Sequence, residues 1–198
     1  MGEQMYYTDI ITFTMGIGAR KKVRMTRAQR QYKKALETLV YIANKEHRSY
    51  WALKIIYLAD KEHLGKYGRQ IFGDSYRAMK YGPVPSLAYD IVKNVRGDGW
   101  ERLYKIFIDP NPNTALRVPD EKTIFPLRES DTRLLSDSEI ECLDNAYNRI
   151  QNLTFAQVKK LCHDSAYDAV EQDEEMTLKG IINTLKNKDE VFSYRKCN

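Results

Sequence analysis

The sequence lacks the short motifs that mark common catalytic sites. It has no glycine-rich phosphate loop, no histidines paired at metal-binding spacing and no serine in a Gly-x-Ser-x-Gly turn. Cysteine is scarce: Cys142, Cys162 and Cys197 are odd in number and share no metal-ligand spacing, which is typical of free thiols in a reducing compartment. We therefore expect a cytoplasmic protein that is not an enzyme and needs no metal or cofactor.

The sequence also lacks an apolar run long enough to cross a membrane. The stretch from Met5 to Ala19 contains Asp9, and a span requires about 20 apolar residues. A basic cluster at 20–24 follows this stretch, whereas a secretory signal has its basic residues first. Residues 1–25 are predicted to be a leader or a partner-contacting extension, and no membrane association is expected.

Helical periodicity dominates the part that follows. The chain of 198 residues, with 42% apolar and 30% charged residues, has the composition of an ordinary globular domain. Apolar spacing predicts helices over 26–46, over 50–66 and from Pro85 to near Gly97. The second is apolar over more than half of its circumference, so we expect it to be the buried centre of the fold.

Residues 101–127 have a different pattern. Short apolar runs alternate with turns rich in proline, asparagine and aspartate. We expect a small antiparallel sheet of two or three strands here, with a hairpin that joins 114–119 to 123–127.

The last third is predicted to be helical again. Ser136 with Glu139, and Thr154 with Gln157, have the spacing of capping boxes and start two helices. A final helix is expected over 177–188. The predicted class is α+β, predominantly α-helical: a helical bundle around the central helix, with the small sheet beside it.

One pair of side chains has the spacing of an acid–base site. Asp60 and His63 lie three residues apart on the central helix, so they could meet as a carboxylate–imidazole pair. The alternative, which we favour, is a polar stripe where the helix leaves the core, because no nucleophile or metal ligand accompanies the pair.

Cations and tyrosines alternate in the segment after the central helix: Arg69, Arg77 and Lys80 with Tyr67, Tyr76 and Tyr81. Such residues stack on bases and are also enriched at protein interfaces. The net charge of +5 is compatible with the alternative that the protein is a nucleic-acid-binding regulator. The helix-turn-helix-like segment 153–176 carries an acidic run that would repel phosphate, and we favour a protein interface.

The same region resembles a known family. The resemblance is carried by LKIIYLAD (53–60), YGR (67–69), GD (73–74) and KYGPV (80–84). Together these resemble the Panacea domain, the SocA-like family of bacterial and phage antitoxins. Val158–His163 followed by Tyr167 is similar to a later family helix, with Cys162 and Tyr167 in place of serine and tryptophan.

The resemblance covers Thr26 to Tyr167 and implies a division into 1–25, an antitoxin domain at 26–170, and an acidic segment with a C-terminal helix at 171–198 on the same domain. It implies an antitoxin, of phage or prophage type, that neutralises a cognate protein toxin by direct binding. The toxin would be encoded by an adjacent gene. Two alternatives are an adaptor that delivers a toxin to a protease, and a regulator of its own operon. The predicted partner-binding residues are Arg69, Asp74, Tyr76, Arg77, Lys80 and Tyr81.

Overall fold

The computed structural model describes residues 25–98 and 111–196. Its helices are α1 (Arg27–Ala43), α2 (Ser49–Tyr67), α3 (Ser86–Arg96), α4 (Asp137–Ile150), α5 (Phe155–Cys162), α6 (Ser165–Asp168), α7 (Leu178–Asn183) and α8 (Lys188–Lys196). Its strands are β1 (Tyr76–Met79), β2 (Gly82–Pro85), β3 (Leu116–Arg117), β4 (Phe125–Pro126) and β5 (Glu175–Met176). Short 3-10 helices lie at Pro112–Thr114 and Thr132–Leu134.

Helix α2 is the centre of the fold, as predicted. It packs against α1, α4, α5, α7, α8 and β2, and side chains such as Ile55 and Ile56 are fully buried. The helix starts at Ser49, one residue before the predicted start, with Arg48 as the N-cap. The Ser49 N–H donates to the Lys122 carbonyl at 2.8 Å, which ties the start of α2 to the neighbouring loop.

The predominantly helical class with small antiparallel sheets is confirmed. The β3–β4 hairpin, with Leu116 opposite Pro126, lies where the 114–127 hairpin was predicted. The part of the predicted sheet near 101–108 lies outside the described residues.

The larger sheet was not predicted, and it has the order β2-β1-β5. Strand β1 pairs antiparallel with β2, placing Tyr76 opposite Pro85, and with β5, placing Tyr76 opposite Met176. The sequence of β2, Gly-Pro-Val-Pro, has low strand propensity. It is tolerated because β2 is an edge strand, where a proline need not donate to a neighbour.

Two of the predicted helix starts agree with the structure. The Ser136 N–H donates to Glu139 at 2.9 Å, and the Thr154 N–H donates to Gln157 at 2.8 Å, as capping boxes require. The single helix expected over 177–188 was wrong. Helix α7 ends at Asn183, because the Thr184 N–H and hydroxyl both bond to the Ile181 carbonyl and tighten the last turn.

The C-terminal helices lie on the same core. Val191 of α8 is buried, and the Asn187 side-chain amide donates to the Gly65 carbonyl of α2 at 2.8 Å. The division at residues 25 and 170 stays a prediction. Among the described residues, no helix has the length and apolarity required to span a membrane.

Candidate partner-binding site

The β1–β2 hairpin lies along α2, and its residues contact successive turns of that helix. The Tyr76 hydroxyl donates to the Asp60 carboxylate at 2.7 Å, and the Lys54 ammonium donates to the Pro83 carbonyl at 2.6 Å. The Tyr50 hydroxyl donates to the Tyr81 carbonyl at 3.0 Å. The turn of the hairpin therefore lies over the N-terminal end of α2.

Three side-chain donors hold the backbone of this hairpin turn, which we define as residues 79–83. Tyr50 and Lys54, both on α2, donate to two carbonyls of the turn. The Tyr167 hydroxyl of α6 donates to a third, that of Met79, at 3.0 Å. Gly82 has φ of +102°, which only glycine adopts readily. The turn backbone is thus fixed from inside the protein, whereas its Lys80 and Tyr81 side chains face solvent.

The lysine beneath the turn is almost completely buried. Lys54 is 1% exposed, and burial lowers its pKa to about 7, although the Cys162 thiol nearby acts in the opposite direction. Burial also raises the pKa of Cys162 to about 11. The Cys162 thiol therefore stays protonated near neutral pH and is a poor nucleophile.

Two of the six predicted partner-binding residues lie inside the fold. Asp74 is 6% exposed and accepts the backbone N–H groups of Leu87 and Ala88, at 2.9 and 3.2 Å, so it holds the start of α3. Burial raises the pKa of Asp74 to about 7. Tyr76 is 1% exposed and bonds to Asp60. Both side chains position the hairpin and α3, and neither is available to a partner at the surface.

Arg69 lies at the opposite end of α2 from the hairpin turn. From Tyr50 to Gly65 the helix rises about 22 Å. The Arg69 guanidinium donates to Glu139 at 2.5 Å, and Lys34 donates to the same carboxylate at 2.6 Å. Burial alone would raise the pKa of Glu139, but these two cations and the Ser136 N–H hold it below its ordinary value. Arg69 thus neutralises a buried charge.

An open cleft of about 480 Å³ lies beside Arg69, between the end of α2 and α8. The structure does not bring Arg69 together with the residues of the hairpin turn.

The other three predicted residues are exposed. Arg77 faces outward on β1 and donates to the Asp173 carbonyl at 3.0 Å. Tyr81 is 45% exposed. The ammonium groups of Lys80 and Lys159 lie 5.3 and 5.8 Å from the centroid of its ring.

Tyr81 belongs to a larger group that we call the aromatic patch: Tyr50, Trp51, Tyr81 and Phe155. The Phe155 ring lies 5.4 Å from that of Tyr81 and 4.7 Å from that of Tyr50, and the Tyr50 and Trp51 rings are 5.3 Å apart. Phe155 is 41% exposed. This patch was not predicted from the sequence, because its members come from α2, the turn and α5. The one local signal was an aromatic residue directly after the Thr154 cap.

The candidate acid–base pair does not form. The Asp60 carboxylate accepts bonds from the Ile71 N–H at 2.7 Å and from Tyr76. The two ring nitrogens of His63 lie 2.8 Å from the Arg69 carbonyl and 3.2 Å from the Ser138 hydroxyl. Asp60 and His63 therefore serve as structural groups. Within 25–98 and 111–196, no cluster of three histidine, cysteine or acidic side chains is placed to hold a metal ion.

The chain matches the model of a known protein family. The family model described as the SocA-like antitoxin, Panacea domain, matches residues 53–168, which include α2 from Leu53 onward, the hairpin and α5. The chain belongs to this family. No curated protein and no solved structure gives a significant match to the chain.

Proposed function

We propose that the protein is the antitoxin of a toxin–antitoxin system and neutralises a cognate protein toxin by direct binding in the cytoplasm. Membership of the SocA-like antitoxin family is the observation that carries the proposal. The structure supports binding over catalysis, because Asp60, His63 and Cys162 are occupied or inert. Lys80 and Tyr81 are the proposed contact residues, with Arg77 beside them and with Asp74 and Tyr76 holding the hairpin. Arg69 would take part only if the toxin also covered the cleft beside α8.

The test is co-expression with the protein encoded by the adjacent gene, which in a phage or prophage operon is the expected toxin. The toxin alone should arrest growth, and the pair should grow and yield a complex that survives gel filtration. The proposal fails if the full chain neither restores growth nor co-purifies with that protein. If growth is restored while the toxin disappears only in cells with an intact protease, the chain acts as the adaptor alternative.

The net charge of +5 supports one second candidate, a regulator that binds the promoter of its own operon. If the protein is such a regulator, its affinity for the promoter DNA should fall steeply as the salt concentration is raised. A gel shift that persists unchanged after Arg77→Glu and Lys80→Glu would exclude the hairpin as the DNA-binding surface.

A further inference from the structure

The aromatic patch is an exposed apolar surface with a rigid base. Tyr81 and Phe155 are 45% and 41% exposed, and their rings meet at 5.4 Å and 76°. Contiguous exposed aromatic surface is unfavourable in water and marks interaction sites. Tyr50 supports both residues: its ring contacts Phe155, and its hydroxyl holds the Tyr81 carbonyl. A partner would therefore meet a surface that is already formed.

The charge beside the patch is positive and uncompensated. Lys80 and Lys159 flank the Tyr81 ring at 5.3 and 5.8 Å. Five described lysines form ion pairs with carboxylates: Lys34, Lys45, Lys61, Lys66 and Lys93. Neither Lys80 nor Lys159 forms an ion pair with any residue that the structure describes. Two ammonium groups around one exposed aromatic ring fit a carboxylate placed above or beside that ring.

The other side of the hairpin turn is acidic, which disfavours a nucleic acid as the occupant. Residues 171–175 include four carboxylates, and the Asp173 N–H donates to the Ala78 carbonyl at 2.7 Å. Burial raises the pKa of Tyr167, which binds the turn at Met79, and Asp168 and Asp173 raise it further. A phosphate backbone passing over the turn would meet these charges. A short peptide segment can place one carboxylate between the lysines and avoid them.

We infer that the aromatic patch, flanked by Lys80 and Lys159, is the docking surface for an acidic segment of the protein partner that carries an aromatic or large aliphatic side chain. The inference rests on the proposed function and specifies the chemistry that the toxin presents. The apolar side chain packs against Tyr81 and Phe155, and a neighbouring Asp or Glu binds the two ammonium groups.

The chain offers matched control variants far from the patch. Lys186 and Lys188 are exposed and lie near the C-terminal end of α2, because the intervening Asn187 binds Gly65. Leu134 is 37% exposed, close to the exposure of Phe155. Lys186→Glu with Lys188→Glu therefore makes the same charge change as Lys80→Glu with Lys159→Glu, and Leu134→Ala parallels Phe155→Ala.

The experiment measures the affinity of each full-length variant for the adjacent gene's product, at low and at physiological salt, together with growth rescue. The Lys80→Glu, Lys159→Glu double variant and Phe155→Ala should each weaken binding at least 30-fold. The affinity of the double variant should no longer fall as the salt concentration is raised. The control variants should change the affinity less than threefold. If the wild type binds and rescues while the patch variants do so equally well, the docking surface is refuted and the antitoxin function stands.

A second probe tests the surface even if the wild type shows neither binding nor rescue, a result that would refute the proposed function. Trp51 lies 6.4 Å from Phe155, so its emission in a Trp100→Phe background reports on the patch. A soluble peptide of alternating Glu and Phe should shift this emission in a saturable manner. A Lys–Phe peptide, or the Lys80→Glu, Lys159→Glu variant, should give no shift. Absence of a saturable shift with the Glu–Phe peptide at millimolar concentration would overturn the inference.

Discussion

The buried lysine beneath the hairpin turn makes the stability of this protein depend on pH, and Lys54→Met tests that dependence. Lys54 is 1% exposed and donates to the Pro83 carbonyl at 2.6 Å. No carboxylate in the described parts of the chain pairs with it. Burial lowers its pKa from 10.5 to about 7, because the ammonium loses its hydration and receives no opposite charge in return.

The sign of the effect follows from the two protonation states. Between pH 7 and 10.5 the unfolded chain holds the Lys54 proton and the folded chain does not, so the free energy of unfolding rises with pH across this window. Below pH 7 both states are charged, and the folded state carries the whole penalty. At 1.36 kcal/mol per pH unit, that penalty is roughly 5 kcal/mol as an upper limit, and the rise from pH 7 to 8.5 is about 1.5 kcal/mol.

Methionine has a similar length and cannot ionise. Lys54→Met removes the buried charge but leaves the Pro83 carbonyl without its donor, which costs about 1–3 kcal/mol. At pH 7 these effects oppose each other, so the variant should not show the large loss of stability typical of a core substitution. The wild type should then gain about 1.5 kcal/mol relative to Lys54→Met between pH 7 and 8.5.

Urea unfolding at pH 7.0 and 8.5 measures this difference directly, since groups shared by both proteins cancel. Lys66→Met, at an exposed lysine of the same helix, is the matched control and should follow the wild type. Parallel pH profiles for the wild type and Lys54→Met would refute the reasoning, because they would show that Lys54 stays charged in the folded protein.

Three further predictions concern the hairpin and the buried acids and thiols. Gly82→Ala should lower the melting temperature more than Gly97→Ala: both residues have φ near +100°, but a Cβ at Gly82 would lie 3.2 Å from His163, whereas one at Gly97 meets no atom within 4 Å. Burial raises the pKa of Asp60 to about 6, so its contribution to stability is lost as pH rises from about 4 through 6. The melting temperature measured across that pH range should therefore depend less on pH for Asp60→Asn than for the wild type. Cys162 should react with a thiol reagent at pH 8 at least 100-fold more slowly in the native protein than in urea, since it is buried and its pKa is about 11; equal rates would contradict this.

The features that could be predicted from the sequence are those determined by near neighbours. Helix α2 was predicted because its apolar residues cover more than half of the helix circumference, and α4 because Ser136 and Glu139 are only three residues apart. The β1–β2 hairpin was missed for the opposite reason. Its turn is held by donors 31, 29 and 88 residues away from the carbonyls of Tyr81, Pro83 and Met79, and no local pattern encodes such contacts.

The candidate site divides in the same way. Exposure of Tyr81 and Lys80 could be predicted, because a Lys-Tyr-Gly-Pro sequence is a turn and turns lie at the surface. The inward orientation of Tyr76 could not, because a strand alternates its faces and the face that is buried depends on the register. Phe155 joins the site only through the packing of α5 on α2.

The rigid turn also determines how the two parts of the docking surface should act. Tyr81 and Phe155 have few rotatable bonds and a fixed base, so they lose little entropy on binding, and their apolar contact should mainly slow dissociation. Lys80 and Lys159 each lose about 1–2 kcal/mol of side-chain entropy when ordered, which offsets most of the gain from an exposed ion pair. Their field should instead accelerate association. Stopped-flow rates should therefore separate the two: charge reversal lowers the association rate in a salt-dependent manner, whereas Phe155→Ala raises the dissociation rate and leaves association unchanged. A large effect of Phe155→Ala on association would mean that the patch is not preformed.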